Sequence, residues 1–161
     1  MSKQVKIMSG IAGSGKSTIA ADMEPDVKYR DGGNKTLVSA DHFFLDRFGH
    51  YNFNPAKLSE AHGQCFRNFI EAMQSDVSLI VVDNTNTTSE EIAPYVLGAQ
   101  AFGYECEIIT VSIRDEIDGI QKCADRNSHG VSYKTIQAQQ SRLAGRKLPP
   151  WWKGTVIPAK F

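Results

Sequence analysis

The sequence is poor in cysteine, lacks long apolar runs and carries no excess charge of either sign. Its three cysteines, Cys65, Cys106 and Cys123, are odd in number and show no C-x-x-C spacing. Complete pairing into disulfides is excluded, and a reduced, cytoplasmic setting is expected. The four histidines, His42, His50, His62 and His129, do not pair at metal-ligand spacing, so no zinc site is expected. The longest aliphatic runs, such as Leu79-Ile80-Val81-Val82, are strand-sized, and the start, Met1-Ser2-Lys3-Gln4, carries no apolar segment of signal-peptide length. Neither a membrane span nor a leader is expected. No internal repeat, low-complexity tract or interdomain linker interrupts the 161 residues. With 41% hydrophobic and 22% charged residues, the chain reads as one domain, 1–161, long enough to bury a core.

Net charge is zero, but the charge is unevenly placed. From Arg126 onward there are seven basic residues and no acidic one, whereas the preceding residues hold 11 basic and 18 acidic. Such asymmetry points to an anionic partner, whether a triphosphate, a nucleic acid or both; a basic helix solvated on one face is the alternative.

What is present is a phosphate-binding motif. Gly10-Ile11-Ala12-Gly13-Ser14-Gly15-Lys16-Ser17 fits G-x-x-x-x-G-K-[ST] at every fixed position. It follows the extended run Val5-Lys6-Ile7-Met8 and opens a helical pattern through Ile19, Ala20 and Met23. The glycines let successive N–H groups, of Gly13, Ser14, Gly15, Lys16, Ser17 and Thr18, turn on phosphate oxygens beside the positive end of a helix dipole. Lys16 is expected on the β and γ phosphates and Ser17 on a magnesium ion.

Further along, Pro25-Asp26 and Asp31-Gly32-Gly33-Asn34 read as a helix break and a turn. Thr36-Leu37-Val38-Ser39 is a short strand, expected next to the P-loop strand, which delivers Asp41 to the crevice at the carboxyl end of the sheet. A carboxylate there can accept the proton of an attacking hydroxyl; a turn or cap aspartate is the plainer alternative. Asn54-Pro55 starts an amphipathic helix through Leu58, Ala61, Cys65, Phe66, Phe69, Ile70 and Met73, with His62 beside the stripe as a structural histidine. The run 79–82 is a buried parallel strand ending in Asp83-Asn84-Thr85-Asn86. Asp83 resembles a Walker B carboxylate that holds magnesium, and Asn84 and Asn86 are expected to line the crevice.

Residues 89–102 read as a helix interrupted or delayed by Pro94, 105–113 as a strand, and 115–128 as a helix with Ile117, Ile120 and Ala124 on one face. Ser132 caps a further helix to Gly145. Two helices with a short connection after the fourth strand form a lid, 126–146, whose closure brings cations onto phosphates and excludes water. Arg126, His129, Arg142 and Arg146 are its candidates. The tail, 147–161, carries Trp151 and Trp152 beside lysines, expected to seal the domain's edge rather than stack bases, and a last short strand from Gly154.

With the P-loop, Ser39-Ala40-Asp41-His42-Phe43-Phe44, Tyr51-x-Phe53-Asn54-Pro55-x-x-Leu58, Ala61-His62, Asp83-Asn84-Thr85-Asn86 and Arg126-Asn127-Ser128-His129-Gly130-Val131 in order, residues 4–146 resemble the P-loop polynucleotide 5′-hydroxyl kinase family. The resemblance is nearest to the branch found in ubiquitin-ligase-binding proteins and in stand-alone phage and bacterial domains. It implies an α/β, three-layer P-loop kinase fold, with a mostly parallel sheet, helices on both faces and a C-terminal helical lid. It also implies ATP- and magnesium-dependent phosphorylation of a 5′-OH nucleic-acid end, in the manner of a repair enzyme. Asp41 matches the general base; Lys16 and Arg126 act on the phosphates, with His129 beside them. Ser17 and Asp83 serve the metal, and Phe44, Asn84, Asn86 and Arg142 the acceptor. Two positions depart from the well-studied phage kinases, which have arginine where this chain has Phe44 and near the lid glycine where it has His129. An acceptor reduced to a nucleoside or other small hydroxyl metabolite, and a silent nucleotide-binding scaffold, are the alternatives. Oligomeric state is not legible from the chain.

Overall fold

The computed structural model of the chain describes residues 2–25 and 33–161. Of the turn and breaker residues read from sequence, Asp26, Asp31 and Gly32 lie outside the described residues.

Five parallel strands form one sheet: β1 (Gln4–Ser9), β2 (Lys35–Val38), β3 (Leu79–Asp83), β4 (Glu105–Ser112) and β5 (Gly154–Pro158), in the order β2-β3-β1-β4-β5. β1 is paired on both sides, Ile7 opposite Val82 and Ile108. The sheet is wholly parallel because every strand returns through a crossover that packs on it. One expectation is corrected here: β2 is the sheet's edge, and β3 stands between it and the P-loop strand. The polar end of β3, and not of β2, therefore adjoins the loop after β1.

Side-chain alternation on the strands divides the core into two faces. Val5, Ile7, Ile80, Val82 and Ile108 face α2 (Leu58–Gln74) and α3 (Ser89–Ala101), which contribute Cys65, Phe69, Met73, Ile92, Tyr95 and Val96. Met8, Val81, Ile109 and Val111 face α1 (Lys16–Asp22) through Ala20 and Ile19. Lys35 closes the carboxyl end of α1, its amine donating to the carbonyls of Ala20, Ala21 and Met23 at 2.7, 2.9 and 2.5 Å. A cation there meets both the terminal carbonyls and the negative end of the helix.

Asn54 caps a 3-10 turn, Pro55–Lys57, and α2 follows directly. Pro94 does not interrupt α3: Thr88 caps the helix, and burial of Ile92, Tyr95, Val96 and Ala99 holds it continuous. A third apolar cluster joins α4 (Glu116–Arg126) and α5 (Tyr133–Gly145) to the P-loop, with Ile11 packed among Ile120, Cys123 and Ile136. Ile117 is not part of it and is 79% exposed; Ala124 packs against the cluster as expected, and Cys123 is buried within it. The tryptophans divide: Trp152 packs against the main core, whereas Trp151 is exposed.

Below the reach of the short α1, polar groups cover the sheet. Lys6 on β1 pairs with Glu107 on β4 at 2.6 Å, and Thr155 on β5 donates to the same carboxylate at 2.6 Å. Burial pushes the Glu107 carboxyl up, but hydrogen bonds from Lys6 and Thr155 and the charges of Lys6 and Lys153 outweigh it and hold it below its ordinary value. A depressed carboxyl contributes stability above its unfolded value that is lost as pH falls through the folded one. Replacing Glu107 with Gln should cost about 1–3 kcal/mol near neutrality. In urea denaturation, the variant should also lose less stability than the parent between about pH 6 and about pH 3.

Candidate nucleotide and acceptor site

The carboxyl ends of β1, β2 and β3 and the lid helices enclose one cleft of about 1710 Å³. Its floor is the loop between β1 and α1. Gly13 (φ 78°) and Gly15 (φ 97°) adopt left-handed conformations that turn the loop inward. A Cβ on Gly13 would stand 2.2 Å from the Cys123 carbonyl oxygen, so α4 packs on the loop's own backbone.

The loop shows the marks of a phosphate cradle. Lys16 is buried and its amine folds back to donate to the Ile11 carbonyl at 2.8 Å. Burial lowers its pKa, opposed by the negative charges of Asp83 and Asp41. Ser14 Oγ is buried with no hydrogen-bond partner. A buried orphan hydroxyl beside a desolvated ammonium is the local imbalance that phosphate oxygens would satisfy.

β3 carries Asp83 to the same floor, where Ser17 Oγ donates to its Oδ2 at 2.7 Å. These are hard oxygen donors of the kind magnesium uses, one or two from protein and the remainder from phosphate and water. Among the described residues no group of three or more His, Cys, Asp or Glu could hold a metal.

Asp41 lies in the short 3-10 turn after β2 (Ala40–Phe44), capped by Ser39. Its backbone neighbour Ala40 donates to Asn84 Oδ1 at 2.9 Å, which ties the turn to the end of β3. The carboxylate is half exposed toward the cleft. Tyr51 OH donates to Oδ1 at 3.1 Å, and His129 Nε2 stands 3.7 Å from Oδ2. The His129 ring rests edge-on against Tyr51, centroids 4.2 Å apart. The lid loop holding His129 is closed by Asn127, whose side chain accepts from Val131 N at 2.8 Å and donates to its carbonyl at 3.0 Å.

Other lid residues reach the P-loop itself. Arg126 Nε donates to the Gly13 carbonyl at 2.6 Å, and its guanidinium lies 4.7 Å from the Phe161 ring. Gln139 on α5 accepts from Ala12 N at 2.9 Å. Arg142 lines the cleft and donates to Thr87 Oγ1 at 3.1 Å. Thr18 and Asn84 also line it.

Phe44 and Arg146 are turned away from the cleft, whereas Asn86 lines it with its amide engaged elsewhere. Phe44 is 5% exposed, packed among Phe43, Tyr51 and Phe53, because a 3-10 turn after Asp41 points it into the core. Asn86 is buried, and its amide donates to the Met8 carbonyl at 2.8 Å as a strut between β1 and the loop after β3. Arg146, expected in the lid, lies beneath it, donating to Ser9 Oγ, to the Asn86 carbonyl at 2.8 Å and to Thr110 Oγ1 at 2.8 Å. Burial lowers the pKa of this guanidinium, against the nearby Glu91. Conversely, His62 is exposed at the cleft wall rather than structural. Tyr51 is the residue that reading by position missed; the Tyr51-x-Phe53-Asn54-Pro55 motif marked its place but not its partner.

An all-parallel sheet in this order, with a P-loop, a strand-end aspartate and a helical lid, defines a P-loop protein of the kinase-fold class. Residues 5–145 match the family model described as an AAA domain, and the chain belongs to that family. Over 134 residues it is 31% identical to human NEDD4-binding protein 2, covering 81% of this chain and 7% of that protein. Over 149 residues it is 25% identical to the putative bifunctional polynucleotide kinase/RNA ligase of Autographa californica nuclear polyhedrosis virus, covering 88% and 21%. The chain thus spans less than a quarter of either relative's length. Among solved structures, a chain of the Pnkp1/Rnl/Hen1 RNA repair complex shares the fold with a TM-score of 0.65 at 18% identity, over 88% of this chain and 44% of that one. No helix among the described residues is long and apolar enough to cross a membrane.

Gly13→Ala should weaken binding of a nucleoside triphosphate, with ATP as probe, roughly 10- to 100-fold, from about 1–3 kcal/mol of displaced loop. Gly103→Ala carries a similar positive φ of 75° but meets nothing within 4 Å. In calorimetric titration, it should leave ATP affinity unchanged.

Proposed function

We propose that this protein is a kinase that transfers the γ-phosphoryl group of ATP, with magnesium, to the 5′-hydroxyl end of a polynucleotide. The observation that carries the reading is Asp41, whose carboxylate opens into the same cleft as the P-loop, on the side of Tyr51, Phe53, Leu58 and Phe66. A carboxylate facing a triphosphate cradle has the chemistry of a general base.

In the reaction, Asp41 takes the proton of the acceptor hydroxyl as that oxygen bonds to the γ-phosphorus and the bond to the bridging oxygen of ADP breaks. Lys16 leaves the Ile11 carbonyl for the β and γ oxygens, whose negative charge stabilises an ammonium that burial disfavours. Ser17 and Asp83 would hold magnesium, which when bound neutralises phosphate charge and aligns the transferred group. Arg126, already on the Gly13 carbonyl, adds positive charge above the phosphates. Closure of residues 127–132 over Asp41 excludes water, so the phosphoryl group goes to the acceptor rather than to hydrolysis.

A polynucleotide acceptor is supported by the polynucleotide kinase named in the viral relative and by the aromatic wall, whose rings suit stacking of an unpaired base. A second reading keeps the chemistry but takes a nucleoside or similar small hydroxyl compound. It is favoured by Phe44, an apolar side chain packed in the core that cannot pair with a chain phosphate.

Radiolabel from γ-labelled ATP should pass to 5′-OH DNA or RNA oligomers, and Asp41→Asn should abolish transfer while leaving ATP affinity within about twofold. Labelling of nucleosides but of neither oligomer would establish the second reading instead. Acceptor affinity should fall as salt rises, through counterion release from a polyanion.

A further inference from the structure

The Asp41 carboxylate has two neighbours of different kinds. His129 belongs to the lid, and its imidazole stands beside Oδ2, where an acceptor hydroxyl has to arrive. Tyr51 belongs to the core side. Its backbone bridges to Leu45, Asn52 N donates to the Phe44 carbonyl at 2.8 Å, and its ring packs edge-on against Phe44 at 6.1 Å. His129 is thus carried by the loop between α4 and α5, whereas Tyr51 is held by the core.

We propose that Tyr51 is the positioning residue for the general base: its hydroxyl holds Asp41 Oδ1 so that Oδ2 faces the acceptor, and its ring seats His129 when the lid closes. The inference rests on Asp41 acting as the base. The oxygens divide accordingly. Oδ1 accepts the phenol's hydrogen bond, and among the described residues no hydrogen bond reaches Oδ2, which is thereby left to receive the proton. A carboxylate free to rotate about its Cβ–Cγ bond would present either oxygen at a range of angles; one fixed donor removes that freedom.

The phenol suits the task. Burial and the neighbouring Asp41 carboxylate raise its pKa well above the ordinary value, so it remains a donor throughout the range in which Asp41 is ionised. The other charged or titratable groups facing the carboxylate are His129 from the lid, Lys16 from the P-loop and Cys65 from α2, the last two lying within range of its field. A hydrogen bond donated to an ionised carboxylate favours that form, so removing the donor raises the carboxyl pKa.

Tyr51→Phe keeps the ring, its contact with Phe44 and the seat for His129, and deletes only the hydroxyl. In the unliganded protein, 13C-carboxyl NMR titration of Asp41 should move to higher pH in the variant. In kinetics with a 5′-OH oligonucleotide, kcat should fall about tenfold with KM for ATP unchanged, and the acid limb of the rate profile should move in the same direction. An unshifted Asp41 titration overturns the proposal, as does an unchanged kcat in Tyr51→Phe. Substantial kinase activity in Asp41→Asn instead sinks the base assignment, leaving the NMR result to judge Tyr51 as a holder of the carboxylate. A lowered melting temperature in Tyr51→Phe with no change in titration assigns the hydroxyl to stability alone and overturns the proposal as well.

Discussion

The cleft depends on β1 being held in the middle of the sheet. Its Val5, Ile7 and Met8 are wholly buried, and the strand is paired to β3 and β4 along its length. Central placement brings two things to one end: the P-loop, as the direct continuation of β1, and the polar terminus of β3, as its neighbour. Ser17 and Asp83 meet at 2.7 Å because Met8 pairs with Asp83 in register. A one-residue slip would turn Asp83 to the other face of the sheet and separate them.

The lid is fastened to the same loop by a different interaction. Ile11 packs with Ile120, Cys123 and Ile136, Ala12 N donates to Gln139, and Gly13 abuts the Cys123 carbonyl. Nucleotide-binding backbone and lid helices therefore share a small apolar cluster of their own. The residues 127–132 that reach Asp41 therefore join two helices packed on the loop itself. The basic character of the C-terminal segment divides in consequence: Arg146 serves as a half-buried brace under β1, whereas Arg126 and Arg142 face the cleft.

The residues read as site residues sort by what can be known from position in a chain. Lys16, Ser17, Asp83 and Asp41 lie where motif and strand ends put them, since a strand's carboxyl terminus in a parallel sheet opens on the crevice whichever way the next turn bends. Phe44 and Asn86 lie a few residues further on, where the direction of a side chain depends on the turn. The 3-10 turn after Ser39 sends Phe44 inward, and the positive φ of Asn86 (43°) sends its amide back to Met8. Ile117 shows the same effect on a helix: its spacing fits the apolar face, but α5 and the P-loop occupy the side marked by Ile120 and Cys123.

The sequence by itself determined the class of fold, the phosphate loop and the strand ends that bear Asp41 and Asp83, because periodicity and a loop's glycine pattern are local properties. Tertiary structure alone decided the order of the strands, with β3 rather than β2 beside β1, and the meeting of Tyr51, Asp41 and His129 from three separate segments. It also decided that Arg146 braces the core. Each is a matter of direction in space among residues distant in the chain, set by which faces bury their apolar surface against one another. Spacing along a chain carries no record of that choice.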